Sequence, residues 1–282
     1  MKRYLLFSIL GLIVLTSCEK LDNEIFLKIG TGQEYKFSDI ELYDTSTHIL
    51  YLKKGQEYFK DTYENTFSFL DNNQIIYKGS FVPGYSSSIP NGPFIMSPPM
   101  YGNYALKIEN FIPGERDIRK DPKMINILNQ HDLLHSGLAI SSSSIEITGT
   151  QLTFRFTVIN QDQSDLMIID LDKTGPNLFH YFTNGLIIYD QDHNEVFSSN
   201  IQHQAPDPWN SWEIDWLSEL KSGDSKQFTI NYTINNLIDP GEYDTTFEFP
   251  GLAYQVTQDQ LYQGNSRIWL GDINISKRRI IQ

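Results

Sequence analysis

The chain has 282 residues, 40% hydrophobic and 20% charged, which is enough apolar material for one large domain or two ordinary ones and excludes a chain disordered by composition. Its formal net charge of −13 disfavours nucleic acid and anionic lipid headgroups as partners, because phosphates are repelled by such a surface. With 16 tyrosines and 17 phenylalanines, residue types that suit half-buried strand positions, the composition leans towards β-structure.

Lys2 and Arg3 open the chain, and an apolar run over residues 4–15 follows. That run is too short to cross a bilayer and has the length of a signal-peptide core. It ends in Leu15-Thr16-Ser17-Cys18, which resembles the bacterial lipobox: an aliphatic residue, two small ones and a cysteine. The resemblance implies diacylglyceryl transfer to the Cys18 sulfur, cleavage that removes residues 1–17, and acylation of the new amino group by a chain such as palmitate. Each buried CH₂ contributes about 0.8 kcal/mol, so several chains hold far more firmly than one. Cys18 is the single cysteine, so the body beyond it is expected to have no disulfide and no free thiol. Losing residues 1–17 removes two basic side chains and no acids, which leaves 20 basic against 35 acidic and a charge of −15. Residues 18–24 read as a tether. Glu19 stands where an aspartate retains enterobacterial lipoproteins in the inner membrane, which implies the outer membrane. Glu19-Lys20-Leu21-Asp22 is similar to the charged surface-export signal of Bacteroidota lipoproteins, with Leu21 interrupting the acidic pair. The periplasmic and the surface face both stay open.

The body alternates apolar and polar residues between turn signals, which predicts strands. Residues 35–43 alternate up to Asp44-Thr45-Ser46, and residues 48–52 up to Lys53-Lys54-Gly55. Strands over 66–70 and 74–77 flank Asp71-Asn72-Asn73, a hairpin turn. Prolines at 83, 90, 93, 98 and 99 predict a loop over 83–99 with no central strand. Residues 104–108 close the first module, expected over 25–112. From 113 to 137 the pattern becomes helical. Asp121-Pro122 is a cap and first-turn pair, Met124, Ile125, Ile127, Leu128 and Leu134 form a stripe, and Gly137 can supply a left-handed stop. This segment reads as a short linker between two modules.

The second module, expected over 138–282, is more regular. Leu152, Phe154, Phe156 and Val158 alternate without a fault, and strands follow over 166–171, 186–189 and 196–197. Trp212, Ile214 and Trp216 are expected on one strand face, and Phe228, Ile230, Tyr232 and Ile234 on another. Pro240-Gly241-Glu242-Tyr243 opens a strand through Phe249, and residues 267–275 close the chain. The predicted class is all-β, with two β-sandwich modules joined by the helix. The Pro-Gly-x-Tyr entry resembles bacterial immunoglobulin-like domains, and Gly102-Asn103-Tyr104 is a fainter echo of it. The resemblance implies a fold, not an activity.

Several constellations could carry chemistry. His131-Asp132-Leu133-Leu134-His135 places histidines at i and i+4, a zinc-binding spacing on a helix, but Asp132 stands where the zinc-protease motif needs glutamate. The segment therefore reads as structural. Asp190-Gln191-Asp192-His193-Asn194-Glu195 opens like a calcium loop, yet it lacks the sixth-position glycine and has Ile201 where the bidentate glutamate belongs. It reads as a hairpin turn. Trp209, between Pro208 and a predicted strand, suggests a binding platform for a sugar face or a protein, with Tyr85 and Tyr101 in the other proline-rich loop as similar candidates. For Trp209 the favoured alternative is a plug folded over the end of the module, since large aromatics are mostly buried. His180 among aromatics reads as a packed residue, Trp212, Trp216 and Trp269 as core, and residues 142–144 lack the glycines of a nucleophile elbow. Glu213 and Asp215 read as neighbours on a strand face.

No metal and no cofactor is expected. The leading expectation is a non-enzymatic binding or structural lipoprotein of a Gram-negative envelope, held on the membrane by its lipid and contacting a glycan or an envelope protein. The competing class is a metal-assisted or carboxylate hydrolase of envelope or foraged polymers. A protease-inhibitor-like module is a narrower form of the first reading.

Overall fold

Alternating side chains carry most of the chain into strands. The computed structural model describes residues 24–57, 66–86, 90–97, 100–110, 117–253 and 255–281, which form 21 strands and two short α-helices: an all-β protein. The leader, Cys18 and tether residues 18–23 lie outside the described residues. Among the described residues two compact units emerge, one of residues 24–44 and 48–135, the other of residues 45–47 and 136–281.

In the first unit, β1 (Ile25–Ile29), β2 (Gln33–Lys36), β5 (Thr66–Asp71), β6 (Gln74–Pro83), β7 (Pro93–Ser97) and β9 (Glu109–Asn110) form one sheet in the order β2-β1-β5-β6-β7-β9. A second sheet runs β10-β3-β4-β8, from β3 (Ile40–Asp44), β4 (Ile49–Leu52), β8 (Ala105–Lys107) and β10 (Leu134–His135). The expected strand over 35–43 is broken by a 3₁₀ turn at Phe37–Asp39, whose start is closed by Asp39 accepting from the Lys36 amide at 2.8 Å. The expected hairpin forms: Asn72 (φ 49°) and Asn73 (φ 63°) both take the left-handed conformation that a two-residue turn requires.

Within the proline-rich stretch, residues 93–97 depart from expectation. Pro93 starts β7, where a missing N–H is tolerated, and β7 then lies between β6 and β9 inside the sheet. Gly79 makes room for it, because a Cβ there would sit 2.3 Å from the Pro93 carbonyl and 2.4 Å from the Phe67 ring.

The helix α1 (Pro122–Gln130) begins as predicted, with the Asp121 carboxylate accepting from the Lys123 amide and Pro122 in the first turn. It is not a bridge. Met124, Ile127 and Leu128 belong to the same buried cluster as Phe26, Phe69 and Tyr43 from the two sheets. An amphipathic stripe gains most by burying against the nearest apolar sheet faces, and here those are in its own unit. The stop is also earlier than Gly137: His131 caps the helix, and Asp132 takes the left-handed conformation (φ 53°).

The second unit holds three sheets. The first is β11 (Leu138–Thr148), β12 (Gln151–Asn160) and β17 (Ser225–Thr233), in that order. The second, β16-β13-β20-β19, uses β13 (Leu166–Ile169), β16 (Leu217–Leu220), β19 (Tyr262–Gln263) and β20 (Ser266–Ile268). The third, β15-β14-β18-β21, uses β14 (Leu186–Tyr189), β15 (Glu195–Ser198), β18 (Gly241–Pro250) and β21 (Asp272–Ile281). The inward stripe of β12 meets β18 through aromatic contacts: Phe154 and Phe156 lie 4.8 and 4.7 Å from the Phe247 ring. Phe228, Ile230, Tyr232 and Ile234 are buried as the pattern predicts. Tyr243, at the head of β18, donates its hydroxyl to the Asp239 carbonyl at 2.8 Å, with its ring against Gly241. A buried ion pair, Arg267 to Asp162 at 3.3 Å, ties β20 to the turn after β12, and Asp162 also accepts from the amides of Gly137 and Ser164.

Two expectations fail in this unit. The Trp212–Trp216 stretch is no strand: a 3₁₀ turn covers Ile214–Trp216, Trp212 and Trp216 are half-buried, and Glu213 and Asp215 are therefore not strand-face neighbours. Only Trp269 of the three expected core tryptophans is fully buried. A second short helix, α2 (Leu171–Phe179), follows β13.

Candidate functional site

The strongest candidate surface is built by α2 and the long connection between β15 and β16. Asp170 starts α2 by accepting from the Asp172 amide at 3.1 Å. Burial alone would raise the Asp170 pKa, but hydrogen bonds from Lys226 at 2.6 Å and from Ser218 outweigh it and hold the carboxyl below the ordinary carboxylate range. The helix bends at Gly175 (φ 70°), next to Pro176, which presents Asn177 and the aromatic run after it to the connection. His180 ends α2 fully buried, with Nδ1 bonded to the Pro176 carbonyl at 2.8 Å and Nε2 to the Tyr232 hydroxyl at 3.1 Å. Burial pushes its pKa down and the Pro176 carbonyl only partly restores it, so His180 is a neutral packing residue, as its aromatic neighbours suggest.

The connection over 199–213 contains no strand or helix, yet it is pinned twice to this scaffold. The Gln204 amide donates to the Asn177 carbonyl at 3.0 Å, and the Tyr181 hydroxyl donates to the Trp209 carbonyl at 3.1 Å. A tight turn closes around Trp209, Ser211 amide to Pro208 carbonyl at 2.8 Å. Phe182 packs against Trp216 at 6.2 Å. On this held backbone Trp209 is 63% exposed and Ile214 45% exposed, so the plug alternative does not describe Trp209. Asp207, Glu213 and Asp215 are the charged side chains of the connection and all three are exposed, which makes its field negative. An exposed indole offers an apolar face and an N–H edge, the combination that stacks on a sugar ring while its hydroxyls are read by neighbours.

The other two aromatic candidates belong to the first unit and differ from each other. Tyr85 is 84% exposed. Tyr101 is buried, with the Lys107 ammonium 5.6 Å from its ring centroid, so it packs in a wall and offers no platform. The fold, not the composition of its loop, decided that burial.

His131 and His135 do not share a helix face. The helix has ended, the His131 ring stacks on Phe37 at 3.8 Å, and His135 lies in β10 paired alongside Asp44 of β3. In the Asp190–Glu195 segment the Asp190 carboxylate accepts from the amides of Asp192 and Asn194, at 2.9 and 2.8 Å, and from the Asn194 side chain. These bonds hold its pKa down and make it the hinge of the β14–β15 turn. Among the described residues, no three His, Cys, Asp or Glu side chains converge on a space for a cation. The chain matches no protein-family model and no curated protein.

Sequence reasoning missed α2 and the pinning of 199–213. Asn177, Tyr181 and Gln204 carry no motif, and the bonds that pin the connection join residues 27 and 28 positions apart.

Proposed function

We propose that this chain is an envelope lipoprotein, anchored at Cys18 to the outer membrane, whose body of two immunoglobulin-like β-sandwich modules binds glycans without catalysis. The anchor rests on the basic start, the apolar run and the lipobox-like Leu15-Thr16-Ser17-Cys18. The sandwich reading is supported by the β12–β18 aromatic contacts and by the Tyr243 hydroxyl bonding back to Asp239, the arrangement of a tyrosine corner. The binding reading is carried by one observation: Trp209 is mostly exposed on a backbone held by Tyr181. A backbone that is held before a ligand arrives loses little conformational entropy on binding.

Two experiments test this. Mass spectrometry of the natively expressed protein is expected to find acyl chains on Cys18 as the new N-terminus, and Cys18→Ala is expected to leave the membrane fraction. An intact, unacylated leader would refute the anchor. For binding, tryptophan fluorescence of the full chain is expected to shift on titration with neutral oligosaccharides and to lose that shift in Trp209→Ala. A flat response across a panel of neutral glycans would refute the platform.

A further inference from the structure

We infer that a groove next to β15 is a second saccharide-binding site, selective for neutral glycans; this deepens the glycan reading of the second unit and rests on it. The groove has a volume of about 280 Å³ and runs between β15 and the chain leaving β17. One wall carries Ser198, Ser199 and Asn200, the other Thr233, Asn235 and Asn236. These are hydroxyls and primary amides, each able to donate and accept, and Glu195 is the one charged residue of the lining. Val196 adds exposed apolar surface to it, while Phe197 and Ile234 are buried beneath the lining. Neutral two-way hydrogen-bonding groups beside the exposed Val196 side chain match a pyranose, which has equatorial hydroxyls at its rim and C–H bonds on its faces. They do not match a phosphate or carboxylate, which needs cationic groups. The volume is close to the lower end of small-ligand sites, about 300 Å³, which suits one or two sugar units and not a folded partner.

The groove is also preformed. The Asn200 side-chain amide donates to the Thr233 carbonyl at 2.5 Å and ties one wall to the other. The Ile234 amide donates to the Thr150 carbonyl at 2.9 Å, which fixes the second wall to the β11–β12 turn. Beneath it the Phe197 and Tyr232 rings meet edge to face at 5.5 Å, and Tyr232 is held by His180 at 3.1 Å. Main-chain walls that are fixed before binding present these side chains from set positions, which lowers the cost of ordering them on a ligand. The first wall continues directly into the connection that presents Trp209, nine residues beyond Asn200 and so at most about 32 Å from it at full extension. One chain segment thus carries both contacts. A glycan is favoured over an extended peptide added to the β15 edge, because the lining offers polar side chains from both walls and not a run of apolar pockets at alternate positions.

Calorimetry on the full chain in detergent micelles tests the inference, with cellohexaose, maltohexaose and xylohexaose as neutral probes and hexagalacturonate as the anionic one. At least one neutral hexasaccharide is expected to bind, and the hexagalacturonate at least tenfold more weakly. Asn235→Ala combined with Asn236→Ala is expected to lower neutral-glycan affinity about tenfold with an unchanged unfolding midpoint, because both side chains are exposed. Trp209→Ala is expected to lower it separately. If Trp209→Ala weakens binding and the asparagine pair does not, the groove site is overturned while the Trp209 platform stands. The reverse result removes the platform and keeps the groove. No neutral probe binding, or extended heptapeptides binding in the groove in their place, overturns the inference.

Discussion

The hydroxyl of Tyr181 reaches across 28 residues to the main-chain carbonyl of Trp209, and this 3.1 Å bond holds an exposed indole without touching the indole itself. The ring is 63% exposed while the backbone behind it is fixed. The relationship separates two properties that a single substitution at Trp209 would confound: where the side chain is held, and what it contacts.

Tyr181→Phe removes that bond and little else. A partly exposed neutral hydrogen bond contributes about 0.5–1.5 kcal/mol, and this one falls at the low end. Global stability is expected to change by less than about 1 kcal/mol in urea unfolding. Trp209 fluorescence anisotropy is expected to fall and acrylamide quenching to rise, relative to wild type. Neutral-glycan affinity is expected to drop by severalfold, less than in Trp209→Ala.

Asp162→Ala removes the partner of a buried guanidinium. Arg267 is 1% exposed and Asp162 supports two further amides, so the variant leaves a charge and two donors in a low-dielectric interior. Breaking a buried pair on one side costs about 3–5 kcal/mol. Thermal or urea unfolding is expected to show a loss of that size, confined to the second unit. A loss under 1 kcal/mol would mean that water enters the site.

Gly79→Ala tests the unexpected inner strand. The added methyl meets a backbone carbonyl at 2.3 Å and an aromatic ring at 2.4 Å, and the carbonyl belongs to β7 and cannot rotate away. Overpacking of this kind costs about 1–3 kcal/mol, and here the upper end is expected, with β6–β7 amides losing hydrogen-exchange protection.

The buried histidines set a pH dependence. His48 has its pKa lowered to about 3, first by burial and next by the Arg119 guanidinium, against the pull of Asp117. Its Nδ1 is hydrogen-bonded to Tyr43 at 2.8 Å, with the Asp117 carboxylate 3.7 Å from Nε2. His180 is shifted the same way by burial. In the unfolded chain both titrate near about 6.5. Above that pH neither state is charged and the full stability is present. As pH falls below it, the unfolded chain takes up protons that the folded chain refuses, so stability declines by about 1.4 kcal/mol per pH unit for each histidine until its folded pKa is reached. For His48 that window runs from about 6.5 down to about 3. Urea midpoints measured from pH 7 to pH 5 are expected to fall, and His48→Gln is expected to flatten the decline.

What the sequence determined was local. The alternation of Leu152, Phe154, Phe156 and Val158, the Asn72-Asn73 turn, the Asp121-Pro122 helix start and the Asp190 turn depend on side-chain direction and backbone preference within a few residues, and each appears where it was expected. The all-β class follows from the same local signals repeated along the chain. What only the tertiary structure decided depends on distant partners. Whether Tyr101 is buried and Trp209 exposed, whether α1 bridges or packs, whether a proline-rich stretch hides an inner strand at Pro93, and whether Asn200 meets Thr233 are all set by which surfaces remain to be covered once the sheets have formed. Burial and exposure are properties of the assembled core, and sequence periodicity carries no record of which apolar face will find a neighbour.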